Sequence, residues 1–89
     1  MNVEEMKQDT DVLGHIRALN EERESFLIAE RLADRYDTVY EFEFEMALTS
    51  YSDVYKGQRG IRPQLDRDWT LEEVRAKIDR LYERSQESF

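Results

Sequence analysis

The chain has 89 residues and no cysteine, with 21 Asp and Glu against 13 Lys and Arg and a formal net charge of −8. A chain of this size buries roughly 60 to 65% of its unfolded surface, so one domain with a thin core is expected, and the missing thiols exclude a disulfide framework and Cys-rich zinc sites. No apolar run approaches the roughly 18 residues of a membrane span, and the acidic start MNVEEMKQDTDV has no apolar h-region, so it is read as neither a membrane anchor nor a signal peptide.

Residues 1–9 carry no periodic apolar pattern and are expected to fray. From residue 11 to 36, Val12, Ile16, Leu19, Phe26, Ala29, Ala33 and Tyr36 fall at helical spacings of three and four, interrupted by Arg23. Thr10 or Asp11 suits the N-cap, because a short side-chain oxygen can accept a bond from an otherwise unpaired backbone N–H. One long helix is the favoured reading. A break near Leu19 and Asn20 is the alternative, with Glu21, Glu22 and Glu24 then suiting the first turn of a second helix through the macrodipole.

Residues 38–56, TVYEFEFEMALTSYSDVYK, carry two conflicting periods. Tyr40, Phe42, Phe44 and Met46 alternate with Glu41, Glu43 and Glu45, which is the pattern of a half-buried strand. Yet Tyr40, Phe44, Ala47, Leu48, Tyr51 and Tyr55 make a helical stripe that runs past the alternation. A strand also needs a partner, and no second strand pattern is present to satisfy its backbone groups. Helix is favoured; an α+β fold with a strand at 38–46 is the alternative.

Residues 57–69 hold two of the three glycines, the only proline and the only tryptophan. Gly57 suits a left-handed helix end after Lys56, Gly60 permits a second positive-φ turn, and Pro63 fixes its own φ while pushing Arg62 toward an extended conformation. The loop is expected to be shaped. Thr70 followed by Glu73 forms a capping box, Trp69 stands where a hydrophobic staple would meet Val74, and Leu71, Val74, Ile78, Leu81 and Tyr82 mark one apolar face of a third helix. That helix is expected to end near Arg84, with 85–89 as a frayed tail. The fold expected is therefore all-α: a small three-helix domain over 10–84, with a long N-terminal helix, a middle helix and a C-terminal amphipathic helix.

The string YSDVYK, then Gly60-Ile61-Arg62-Pro63, then Trp69-Thr70-Leu71-Glu72-Glu73 resembles a signature of small proteins encoded by tailed bacteriophages and prophages: aromatic-Ser-Asp-x-Tyr-Lys, a Gly-x-Arg-Pro turn and Trp-Thr-x-Glu-Glu. It covers residues 51–73, about a quarter of the chain. Gly57 departs from the acidic residue usual after the lysine, and Gln64 from the second arginine usual after the proline. The resemblance implies a viral accessory protein acting in the host cytoplasm, and supplies an origin without a mechanism.

Chemistry-bearing residues are sparse. His15 stands alone, with no cysteine or nucleophile motif beside it, and reads as a packing histidine. Glu41, Glu43 and Glu45 do not converge on a metal, since i and i+2 point some 200° apart on a helix; the glycines lack the Gly-Lys-Ser/Thr ending of a phosphate loop. No enzyme activity, cofactor or metal is expected.

Interaction residues are more evident. Arg59 and Arg62, with Tyr51, Asp53, Tyr55, Lys56 and Trp69, make a candidate partner-binding patch, because arginine and tyrosine are enriched among interface anchors. The plainer reading is that Asp53 pairs with Arg59 or Arg62 simply to fix the turn. Residues 1–50 carry 13 acidic against 5 basic side chains, while 51–89 carry 8 of each. The acidic surface, with Glu21, Glu22, Glu24, Glu41, Glu43 and Glu45, repels phosphate backbones and attracts basic proteins; its plainer reading is a solvated face. The expectation is a non-enzymatic protein that binds and inhibits or redirects a host protein, with an anti-defence role among the possibilities and homodimerisation plausible from the exposed aromatics. A virion structural or assembly role and a nucleic-acid-associated regulator are the alternatives.

Overall fold

The computed structural model describes residues 1–87. The chain is all-α, with no strand among the described residues: α1 (Val3–Gln8), α2 (Val12–Glu21), a 3₁₀ helix (Glu30–Arg35), α3 (Val39–Arg59) and α4 (Leu71–Glu87). Its described residues group into two compact units, the first Met1–Glu43 and the second beginning at Phe44.

The first unit begins with a helix where fraying is expected. Asn2 and Glu5 supply the reason: the Glu5 N–H donates to Asn2 Oδ1 at 2.8 Å, and Asn2 Nδ2 donates to Glu5 Oε1 at 3.1 Å. Met6 of this short helix is buried, Lys7 places its ammonium 5.2 Å from the centre of the Tyr40 ring, and the Val39 N–H donates to the Asp9 carbonyl at 2.8 Å. An asparagine cap and one buried methionine thus hold a segment with almost no apolar periodicity.

The single long helix over 11–36 is also not found. Asp11 caps α2 by accepting the Gly14 N–H at 3.0 Å, but the helix stops at Glu21. Asn20 is the cause. Its Nδ2 donates to the Ile28 carbonyl and its Oδ1 accepts the Ile28 N–H, both at 2.9 Å, so one side chain satisfies both backbone groups of a residue eight positions on. Between them, Phe26 takes a left-handed backbone with φ of 56°, and the Arg23 guanidinium donates to its carbonyl at 3.2 Å. Phe26, placed on the apolar stripe by its spacing, is instead 90% exposed. Val12, Ile16, Ile28, Val39 and Phe42 are buried in this unit, and Arg17 of α2 pairs with Glu30 at 3.0 Å, a bond and charge that raise the arginine's pKa above its ordinary value.

Helix is the outcome for residues 38–56, and the structure explains the strand-like alternation. Phe42 and Phe44 lie some 200° apart around α3, yet both are buried. Phe42 meets the edges of His15 and Tyr36 at 5.9 and 5.8 Å within the first unit; Phe44 belongs to the second, with buried Leu48, Leu71, Val74 and Leu81. A helix apolar on two sides mimics a period of two.

The end of α3 corrects a further expectation. Gly57 is helical, and α3 continues to Arg59 before Gly60 takes φ of 78° and donates its N–H to the Lys56 carbonyl at 2.8 Å. At the start of α4, the Glu73 N–H donates to Thr70 Oγ1 at 3.1 Å, and the Thr70 hydroxyl donates in turn to Glu73 Oε1 at 3.3 Å. The helix passes the expected end at Arg84 to reach Glu87; the rest of the expected tail lies outside the described residues.

Two exposed glycines therefore test the helix end in opposite directions. Neither has a neighbour within 4 Å of an added Cβ. Gly57→Ala is expected to stabilise by about 0.5–1 kcal/mol and Gly60→Ala to destabilise by about 1–2 kcal/mol in urea unfolding; the reverse order would place the helix end at Gly57. In the first unit, Asn20→Ala leaves both Ile28 backbone groups without their partner and is expected to cost about 1–3 kcal/mol in the same measurement.

Candidate functional site: an aromatic and cationic groove

The second unit carries an open groove of about 150 Å³, lined by Tyr51, Tyr55 and Arg59 from α3 and by Lys77, Arg80, Leu81 and Arg84 from α4. Helical spacing assembles both walls. Positions 51, 55 and 59 recur every four residues, and 80, 81 and 84 stand three, four and seven residues after 77, so each set lies along one face of its helix.

A ladder of rings and cations runs through the site. The Arg59 guanidinium stands 5.0 Å from the Tyr55 ring centre, Tyr55 tilts against Tyr51 at 5.9 Å, Tyr51 meets Trp69 edge-on at 5.9 Å, and the Lys77 ammonium caps Trp69 at 4.6 Å. The Trp69 ring thus meets side chains of both helices, Tyr51 of α3 and Lys77 of α4. Gln58 adds a polar tie, donating to the Leu81 carbonyl at 2.9 Å.

Leu81 is buried and forms the apolar floor; Tyr51, Tyr55 and Lys77 are half-buried, while Arg59, Arg80 and Arg84 are exposed. Among the described side chains, none of the four cations lining the groove has an ion pair with a carboxylate. Open cationic edges over an apolar floor attract an anionic group attached to an apolar one.

The structure separates the proposed patch into two groups. Tyr51, Tyr55 and Arg59 line the groove, and Trp69, outside the lining, touches two of its residues, Tyr51 and Lys77. Arg62 and Asp53 do not line it: the Arg62 guanidinium donates to Ser52 Oγ at 2.8 Å and to Asp53 Oδ1 at 3.1 Å, tying the chain after Gly60 back onto α3. Lys56 is exposed and also outside the groove lining. The acidic set divides as well. Glu21, Glu22 and Glu24 are exposed around the end of α2, and Glu41, also exposed, accepts the Asp37 N–H at 2.9 Å. Glu43 is half-buried and paired with His15 Nε2 at 2.5 Å, and Glu45 is paired with Arg67, so these two are not open acidic surface. Among the described residues no cluster of three or more His, Asp or Glu side chains is placed to hold a metal ion, and no helix is long and apolar enough to cross a membrane.

Lys77, Arg80, Leu81 and Arg84 are absent from the sequence-derived patch. Their signal was present as a cationic stripe at i, i+3 and i+7, but solvated basic faces are common on amphipathic helices, and only the aromatic wall opposite gives this one meaning. No family model, curated protein or solved structure matches the chain.

The separation of clamp from groove predicts unequal mutational costs. Arg62→Ala leaves the buried Ser52 hydroxyl without that donor and is expected to cost about 1–2 kcal/mol in urea unfolding. Arg59→Ala removes an exposed cation–ring contact and is expected to cost about 0.5 kcal/mol. Equal losses would contradict the division.

Proposed function

We propose that the protein is a non-enzymatic binding module of the phage accessory kind, which binds a bacterial host protein and inhibits or redirects it in the host cytoplasm. The observation that carries this reading is the groove: four cations without carboxylate partners among the described side chains, set around an apolar floor and two tyrosines. An acidic segment of a host protein with an apolar anchor would complement it in sign and in shape. The charge distribution supports the same reading. The first unit holds 12 acidic and 5 basic side chains and the second 9 and 8, so the acid excess lies almost wholly away from the groove-bearing unit. That excess offers a second surface for a basic host protein, including one that ordinarily binds nucleic acid, and an anti-defence role follows if that protein is a nuclease.

The test is affinity capture from bacterial lysate with the wild-type chain, an Arg59→Glu/Arg80→Glu variant and a Glu21→Gln/Glu22→Gln/Glu24→Gln variant, each confirmed helical by circular dichroism. A specific host protein retained by wild type and reduced at least tenfold by the groove variant is the expected result. Recovery of the same proteins at equal level by all three, or of none, would overturn the proposal.

A further inference from the structure

The feature of the first unit left without a role is the tip of the loop after α2. Glu21, Glu22 and Glu24 are exposed there, followed by Phe26 at 90% and Leu27 at 64% exposure. Phe26 also holds a left-handed backbone that a bulky side chain rarely adopts, and Arg23 braces its carbonyl at 3.2 Å. Phe26 therefore buries little in its own unit while holding a conformation that costs free energy, which leaves its ring, with Leu27 beside it, as apolar surface open to a contact. The Asn20 clamp on Ile28 makes the loop a fixed projection.

The second unit contains the complementary surface. Its groove has about 150 Å³, the size of cavity that accommodates benzene, and the phenylalanine ring is benzene-sized. Its floor is Leu81, its walls are Tyr51 and Tyr55, and its rim carries Arg59, Lys77, Arg80 and Arg84. Three glutamates lie within five residues before Phe26, so a ring seated in such a groove would bring them to a basic rim.

We infer that the groove of one copy receives the Glu21–Leu27 loop of a second copy, with Phe26 in the pocket and Glu21, Glu22 and Glu24 facing the cations. The occupant is a second copy because the same chain presents both an acidic segment with an exposed aromatic ring and a cationic groove of matching size. The contact is heterologous, loop to groove, and each copy carries one of each half. This inference is independent of any host partner: it stands or falls on the isolated protein.

The test is sedimentation of the purified chain from about 10 μM to 1 mM, alongside a loop variant, Phe26→Ser, and a groove variant, Arg80→Glu/Arg84→Glu, each checked for unchanged helix content. Wild type is expected to self-associate, with the dissociation constant rising at least tenfold between 50 and 500 mM NaCl, since exposed charges are screened beyond a few ångströms at high salt. Each variant alone is expected to be monomeric. Mixed together, they are expected to form a one-to-one complex, because the loop variant retains an intact groove and the groove variant an intact loop. A monomeric wild type at 1 mM, association that survives in either variant alone, or two monomeric variants that do not combine would each overturn it. An association abolished by the groove variant but untouched by Phe26→Ser shows another segment in the groove and equally overturns the loop assignment.

Discussion

The site depends on one extra turn of helix. Because α3 continues through Gly57 to Arg59, the Arg59 guanidinium falls above Tyr55, four residues before it, and Tyr55 in turn leans on Tyr51. Ending the helix at Lys56 would release Arg59 into the loop and leave Tyr51 and Tyr55 as the α3 wall without a cation above them. Gly60, with its left-handed backbone, and Arg62, hydrogen-bonded to Ser52 and Asp53, are what stop the helix one turn later and return the chain toward α4. The arginines of this segment therefore have different work. Arg62 builds the elbow; Arg59 faces outward from it.

Charge is distributed in keeping with that division. In the second unit Arg62 and Arg67 are matched to Asp53 and Glu45, whereas the cations of the groove are not matched to any described carboxylate. In the first unit Glu30 is matched to Arg17 and Glu43 is hydrogen-bonded to His15, and among the described residues the exposed glutamates near Phe26 have no ion pair. Only the His15–Glu43 contact is largely shielded from water; the Arg17–Glu30 and Arg62–Asp53 pairs are exposed and add little to stability, and the unpaired exposed charges are the part able to act on other molecules.

Much of this was legible in residue order. The all-α class, the helix at 38–56, the Asp11 and Thr70 caps and the pairing of Asp53 with an arginine all follow from local rules that the structure obeys. Three features were not. The interruption after Glu21 depends on Asn20 reaching Ile28, a contact across eight residues that no helical periodicity encodes, and the apolar spacing of Phe26 points the wrong way. The N-terminal helix depends on an asparagine cap and a single buried methionine. The groove's second wall required knowing which face of α4 meets Tyr51 and Tyr55, which is tertiary information. Conversely, the alternation of Phe42 and Phe44 misleads because a helix apolar on opposite sides and a strand share the same letters.

The proposed function requires that the Tyr51, Tyr55 and Arg59 face of α3 and the Lys77 to Arg84 face of α4 act as a preorganised receptor for an acidic group carried beside an apolar ring. Amide and side-chain NMR during titration with the capped peptide Glu-Glu-Phe, against its Gln-Gln-Phe counterpart, measures this directly. Shifts confined to residues 51, 55, 59, 77, 80, 81 and 84, saturating at least tenfold earlier for the glutamate peptide, are the predicted result. Equal titration by both peptides, or shifts scattered away from those positions, would contradict it.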